Sequence, residues 1–475
     1  MKPRPNRYHN KGNLTEGPIT GHLIRLTLPM TWGIFAIISF QLVDTFYISM
    51  LGTKELAAFS LTFPVAMGVF SLFLGFQIAM ASVGSRLIGS GQRAIMQRVA
   101  THAIFLVFAL GVCIAAAGLI LHDSIFALLG ASPEMLPDIW SYMSIWFTGA
   151  IFVTVPMINH AAMRADGDSK TPALIMTGVA LINIILDPIL IFGLLGFPRL
   201  EIQGAAIATI FANACAMGLG LYINYRHKGL ILNPLKVGLA HFGNSMKRLL
   251  FIAIPAGLTN TIQPIINAFI FALLAKYGHE AIAAYGVATR VEAFAFVILM
   301  ALSSGMAPII GQNWGAQKYD RVHDTLKLAI RFCIAWSLFI AVILATFAKP
   351  IAALFSDNSD MIAYASLYFW IVPCSYAFGN LIMGWGSAFN AMGMPQRSML
   401  MIVVKMIVLT VPAVLIGDHY YGYTGILLAM AGVNVIAGTT FHIVNWKKCR
   451  AAEKDISAAA PPGTTNNNRQ TKTPA

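Results

Sequence analysis

The sequence predicts an all-α integral membrane protein: twelve transmembrane helices in two six-helix bundles related by a pseudo-two-fold axis along the membrane normal. Three observations predict it. Of 475 residues, 57% are hydrophobic and only 11% charged, less than half the roughly 25% charge of an ordinary globular domain. A soluble fold of this size could not cover its exterior with so few charges. The apolar residues also gather into twelve stretches, each near the roughly 20 residues that a 30 Å hydrocarbon core requires. An internal repeat then divides the twelve into two sixes.

The stretches run 23–50, 60–85, 99–121, 139–162, 172–195, 204–225, 249–275, 281–309, 326–348, 362–389, 398–417 and 424–446. None sustains the strand-like alternation of a membrane barrel, so each is read as a helix. Of the 32 Lys and Arg residues, 25 fall on the side of the N-terminus, among them Arg86, Arg93, Arg164, Lys170, Arg226, Lys228, Lys318 and Arg397. Lys54, Arg199, Lys276 and Lys349 fall on the other side, and Arg25, Arg290 and Lys405 within spans. Basic loops stay inside, which places both termini in the cytoplasm. The same asymmetry accounts for the formal net charge of +13 without a nucleic-acid partner.

The basic, polar N-terminus lacks the apolar core of a cleaved signal peptide. Five scattered cysteines without a CxxC pair give neither a disulfide framework nor a zinc site. No HExxH or GxSxG occurs, and the glycine-rich 84–91 lacks the Lys-Ser/Thr of a phosphate loop, so no enzyme and no cofactor are expected. The expected organisation is a cytoplasmic segment 1–19, a first lobe 20–228, a cytoplasmic linker 229–246, a second lobe 247–448 and a polar, disordered cytoplasmic tail 449–475.

The repeat appears when the chain slides against itself by 226 residues. Leu28-Pro29 then meets Ile254-Pro255, Gly52 meets Gly278, and Leu56–Phe59 meets Ile282–Tyr285. Further on, Gly89 meets Gly315, Tyr142 meets Tyr368, and Gly167 meets Gly393. An ungapped offset over so long a stretch marks a duplication. Six spans per repeat is an even number, so both halves enter from one side, as in parallel-repeat transporters whose substrate sits between the halves.

Three acids lie within spans: Asp44, Asp187 and Glu292. A charge at mid-bilayer costs roughly 2.5–3.5 kcal/mol even on the insertion scale, so such residues fasten helices, face water or carry ions. Asp44 and Asp187 sit at similar depth on two outward-running helices. Asn183 lies one turn before Asp187 on the same face, and Pro188 removes a backbone donor and frees a carbonyl oxygen. These oxygens suit Na⁺ or a shared proton. The 226 shift puts Ile270, Leu409 and Ala413 at the equivalent positions, so the cluster belongs to one lobe only. Arg290, Glu292 and Lys405 are further ion or substrate contacts, or structural pairs. Gln41, Asn159, Asn260, Gln263, Asn267, Asn380 and Asn390 supply polar groups to a cavity.

QLVDTFYISMLG (41–52), RADGDSKTP (164–172), NIILDP (183–188) and GAAIAT (204–209) together resemble the multidrug and toxic compound extrusion (MATE) family, over residues 20–447. The resemblance implies a V of two bundles that exports amphipathic, often cationic, drug-like molecules in exchange for H⁺ or Na⁺ and needs no other cofactor. It implies a monomer in the bacterial inner membrane, surrounded by lipid. The family's ion-site residues map onto Asp44, Asn183, Asp187 and Thr209, with Asn159 a weaker transfer. Gln263 stands where the NorM branch has an acid, and no acid occurs between Met361 and Ile416. The chain therefore looks closer to the DinF-like branch. A flippase for a lipid-linked precursor, from the same superfamily, is the alternative.

Overall fold

The computed structural model describes residues 13–459 apart from 234–236 and 239–240. Those described residues are helical almost throughout and contain no strand. The spans are α1 Ile19–Ser49, α2 Thr53–Gly89, α3 Arg93–Ile120, α4 Leu136–Thr148 with Ala150–Ala165, α5 Lys170–Phe192 and α6 Ile202–His227. The second set is α7 Phe242–Tyr277, α8 His279–Gly315, α9 Tyr319–Thr346, α10 Ser359–Met392, α11 395–421 and α12 423–459. Among the described residues, ten helices are long and apolar enough to cross a membrane singly, and the two parts of α4, bent by 44°, make an eleventh span. The twelfth arises because the helical stretch 395–447 reverses at Gly422, whose φ of 59° and ψ of −140° leave the helical region. In a straight helix, residues 417 and 425 would stand about 12 Å apart. Here a methyl group on either glycine would collide with the other's carbonyl oxygen. Of the expected disordered tail 449–475, residues 449–459 instead continue the last helix, while 460 onward and residues 1–12 lie outside the described residues.

The repeat recurs in the backbone. Helices α2 and α8 begin at 53 and 279 and end at 89 and 315, and α3 and α9 occupy 93–120 and 319–346, each pair offset by 226. Positive φ angles follow the same rule: Gly52 (155°) and Gly278 (94°), Gly91 (76°) and Gln317 (59°), Gly167 (79°) and Gly393 (82°). Only glycine takes the left-handed region without steric cost, so the shared glycines mark turns that both halves need. Gln317 adopts that conformation without being glycine.

The two halves meet at the end that carries Leu14, here called the base. Helices α2 and α8 cross there on bare backbone: a methyl on Gly89 would collide with the Gln312 carbonyl, and one on Gly315 with that of Arg86. Gly311 and Gly315 form the GxxxG spacing that lets membrane helices approach closely. Gly305 of α8 rests on Thr27 of α1, the Ser82 hydroxyl donates to the Asn390 carbonyl, and Gln312 Nε2 donates to the Ala165 carbonyl at 2.7 Å. At the other end, the mouth, the ion pairs Lys54–Asp138 (2.8 Å) and Lys276–Asp418 (2.9 Å) each stay within one half. Among the described residues, no ion pair spans the mouth. The result is a V, closed at the base and open at the mouth.

Candidate ion-coupling site

Close helix packing builds the site in the first half. Gly33 of α1 lies against Ala173 of α5, where an added methyl would sit 3.1 Å from the Ala173 Cα. Asp44 is eleven residues beyond Gly33, and Asp187 fourteen beyond Ala173, close to whole numbers of turns at 3.6 residues each. Both carboxylates therefore return to the seam that the small residues opened. Gly204 of α6 presses similarly on the Leu190–Ile191 backbone of α5, which brings Thr209 beside Asn183.

The contacts follow this geometry. Asp44 is 6% exposed, and Asp187 and Asn183 are fully buried. With its amide oriented to satisfy both neighbours, Asn183 donates to Asp187 Oδ2 at 2.8 Å and its oxygen accepts from the Thr209 hydroxyl at 3.1 Å. The opposite amide orientation keeps the Thr209 contact at 3.1 Å, with Asn183 Nδ2 donating. Asp44 and Asp187 lie close enough to interact electrostatically, and one oxygen of each is buried without a hydrogen-bond partner. A buried polar atom left unpaired costs on the order of 1–3 kcal/mol, a cost that a bound proton or cation would relieve. Pro188 inside α5 takes a backbone N–H out of the helix and leaves a carbonyl one turn earlier free to face a ligand.

Tyr142, on α4, is the member of this site that sequence reasoning missed. It is 6% exposed and interacts electrostatically with both Asp44 and Asp187. The signal was its repeat partner Tyr368, whose hydroxyl donates to Glu292 Oε2 at 2.7 Å in the second half. In each half a buried tyrosine at the repeat-related position lies within reach of a carboxylate's charge, and in the second half it donates a hydrogen bond to it. In the second half a lysine, Lys405, also acts on that carboxylate through its charge, with no ion pair within 4.0 Å among the described residues. Lys405 lies in a π-helical stretch, Val404–Thr410, in which the Thr410 hydroxyl donates to the Lys405 carbonyl at 2.8 Å.

The remaining residues are dispersed. Asn159 is buried against Asn224, whose Nδ2 donates to its side-chain oxygen at 3.0 Å, away from the carboxylates. Gln41 is exposed on α1, one turn from Asp44. Gln263 donates to Asn267 Oδ1 at 3.1 Å on α7. Asn380 donates to Ser337 at 3.1 Å within the second half. Arg290 is exposed on α8, two residues from Glu292 but on a different face.

Fold and site together define a polytopic membrane transporter with a carboxylate pair in one lobe. The MatE family model matches residues 29–189 and again 255–416, the two matches starting 226 residues apart. The chain belongs to this family, the MATE transporters. It is 37% identical to a protein of Shewanella oneidensis named FAD transporter, over 93% of this chain and 97% of that one. It is 28% identical to the multidrug export protein MepA of Staphylococcus haemolyticus, over 87% and 90%. Among solved structures, the Vibrio cholerae MATE transporter VcmN in its bent form superposes with a TM-score of 0.87 at 28% identity, covering 91% of this chain and 97% of that one.

Proposed function

We propose that this protein is a secondary active exporter of amphipathic organic molecules, driven by exchange for H⁺ or Na⁺ at Asp44, Asp187, Asn183 and Thr209. The observation that carries the reading is the pair of buried carboxylates, each with an unpartnered oxygen, held in one lobe of a V-shaped duplicated bundle. Coupling requires an ion that binds the mouth-open and base-open states unequally. The site meets that requirement because its ligands come from α1, α5 and α6, so a shift of α1 against α5 makes or breaks it. The excess of basic loops at the base supports a cytoplasmic base, with substrate leaving through the mouth.

The names of the relatives, a FAD transporter and multidrug export proteins, support a role in moving organic molecules across the membrane. The test is flux in proteoliposomes with proton and Na⁺ gradients imposed separately, using FAD and ethidium as probes. Gradient-dependent flux in the wild type, lost in Asp44→Asn and Asp187→Asn at equal incorporation, is the expected result. Flux that ignores both gradients would identify a channel or facilitator instead.

A further inference from the structure

Arg290 is a membrane-embedded charge that the coupling site leaves unused. It is exposed on α8 and makes no hydrogen bond or ion pair among the described residues. Its direction follows from the packing of α8 at the base, where Gly305 faces α1 and Gly311 and Gly315 face α2. At about 100° per residue, Arg290 points roughly midway between those two directions. It therefore projects from the α8 face that meets the other half at the base. Near the mouth the halves diverge and that face opens on the cleft. Glu292 points into its own half instead, where Tyr368 holds it.

The surroundings favour one kind of ligand. Below the first turn at the mouth, the outer halves of α1, α2, α7 and α8 carry three charged residues: Asp44, Arg290 and Glu292. Two of these are turned inward, so Arg290 is the charge that those walls present to the cleft. Counted from the mouth at 1.5 Å per residue, Gln41, Asn267 and Arg290 lie at about 12, 15 and 17 Å, a polar level across the opening. Phe294, one turn deeper and 41% exposed, offers an aromatic face on the same side. A guanidinium recognises phosphate or carboxylate through paired, planar hydrogen bonds, whereas it repels a cation.

We propose that Arg290 is an anion-recognition subsite of the cleft, and that the substrate class is a planar aromatic molecule bearing a phosphate or carboxylate. This rests on the exporter reading above and names its substrate. The experiment uses the full-length protein in proteoliposomes with an imposed proton or Na⁺ gradient. The probes are FAD, riboflavin (the same ring system without phosphate) and ethidium. The wild type is expected to move FAD at least tenfold faster than riboflavin at equal concentration. In Arg290→Gln the FAD-to-riboflavin ratio should fall at least tenfold, and Arg290→Lys should restore part of it. A ratio unchanged in Arg290→Gln, including one in which both fluxes fall together, would overturn the assignment. Wild-type flux of ethidium without FAD would overturn the anion subsite and leave the exporter reading standing. No gradient-dependent flux of any probe would remove both.

Discussion

At the scale of single residues, Asp187 is the member of the proposed coupling site whose substitution tests it most directly. It is fully buried, bonded to Asn183, and has one oxygen free, so Asp187→Asn keeps the shape and removes the charge that an ion would meet. Gradient-driven efflux is expected to fall at least tenfold at unchanged membrane levels, measured as dye efflux from loaded cells beside an immunoblot. Tyr142→Phe deletes a hydroxyl from the same pocket. It should weaken the apparent affinity for the coupling ion several-fold with little change in maximal rate.

A residue outside the spans, Asp168, sets a pH dependence of stability. It pairs with Lys228 at 2.6 Å and caps α5 by accepting from the Thr171 N–H at 3.0 Å. Burial pushes its carboxyl up, but the bonds from Lys228 and Thr171 outweigh that and hold it below the ordinary aspartate range. A lowered folded-state pKa means that the charged form stabilises the fold. That contribution is complete above about pH 4 and disappears as pH falls through the lowered value. Asp168→Ala should therefore cost about 1 kcal/mol near pH 7, seen as a lower melting temperature in detergent. The gap to wild type should close as the pH drops below about 4.

Among the elements, the α2–α8 crossing is one of the contacts between the halves that close the base. Its glycines bring two backbones into contact where any side chain would intervene, and overpacking such a seam costs about 1–3 kcal/mol. Gly89→Val should therefore weaken base closure and shift the population toward the base-open state. The readout is a cysteine at Gln41 in a background with the native cysteines replaced. Its labelling from the mouth side by an impermeant maleimide should slow at least threefold, and an unchanged rate would show that the crossing does not govern access. The two-part α4 and the reversal at Gly422 show how spans of the expected position take unexpected shapes. Hydrophobicity counts residues in lipid, whereas bends come from local backbone conformation.

The whole molecule is tied at its base by the segment that precedes α1. Leu14 is fully buried in a cluster with Leu299, Met306, Val322 and Trp385 of the second half. Its N–H donates to Gln312 Oε1 at 3.0 Å, and its carbonyl accepts from Asn313 Nδ2 at 3.1 Å. Arg321 Nη1 donates to the Gly17 carbonyl at 2.9 Å, and Lys318 donates to that of Thr15 at 3.0 Å. A strand of chain belonging to one half is thus bolted to the other, and Gln312 joins it to Ala165 as well. Leu14→Asp should loosen this strap and favour the base-open state. The same maleimide assay should report slower labelling at Gln41 while the protein remains inserted and folded.

Composition and the 226-residue offset alone determined the membrane class, the number of spans, the duplication and the carboxylates that stand out in lipid. Each of these depends on which residues are present and on their spacing along one helix. Only the tertiary structure decided that Asn159 turns to Asn224 while Asn183 turns to Thr209, that Tyr142 comes near the two carboxylates, and that Arg290 and Glu292 face opposite ways. It also decided that the V is shut at the base. A tyrosine or an asparagine in a membrane helix carries no mark of its partner, because the partner lies on another helix. Which helices meet is settled by glycine contacts such as Gly33 on Ala173 and Gly89 on Gln312.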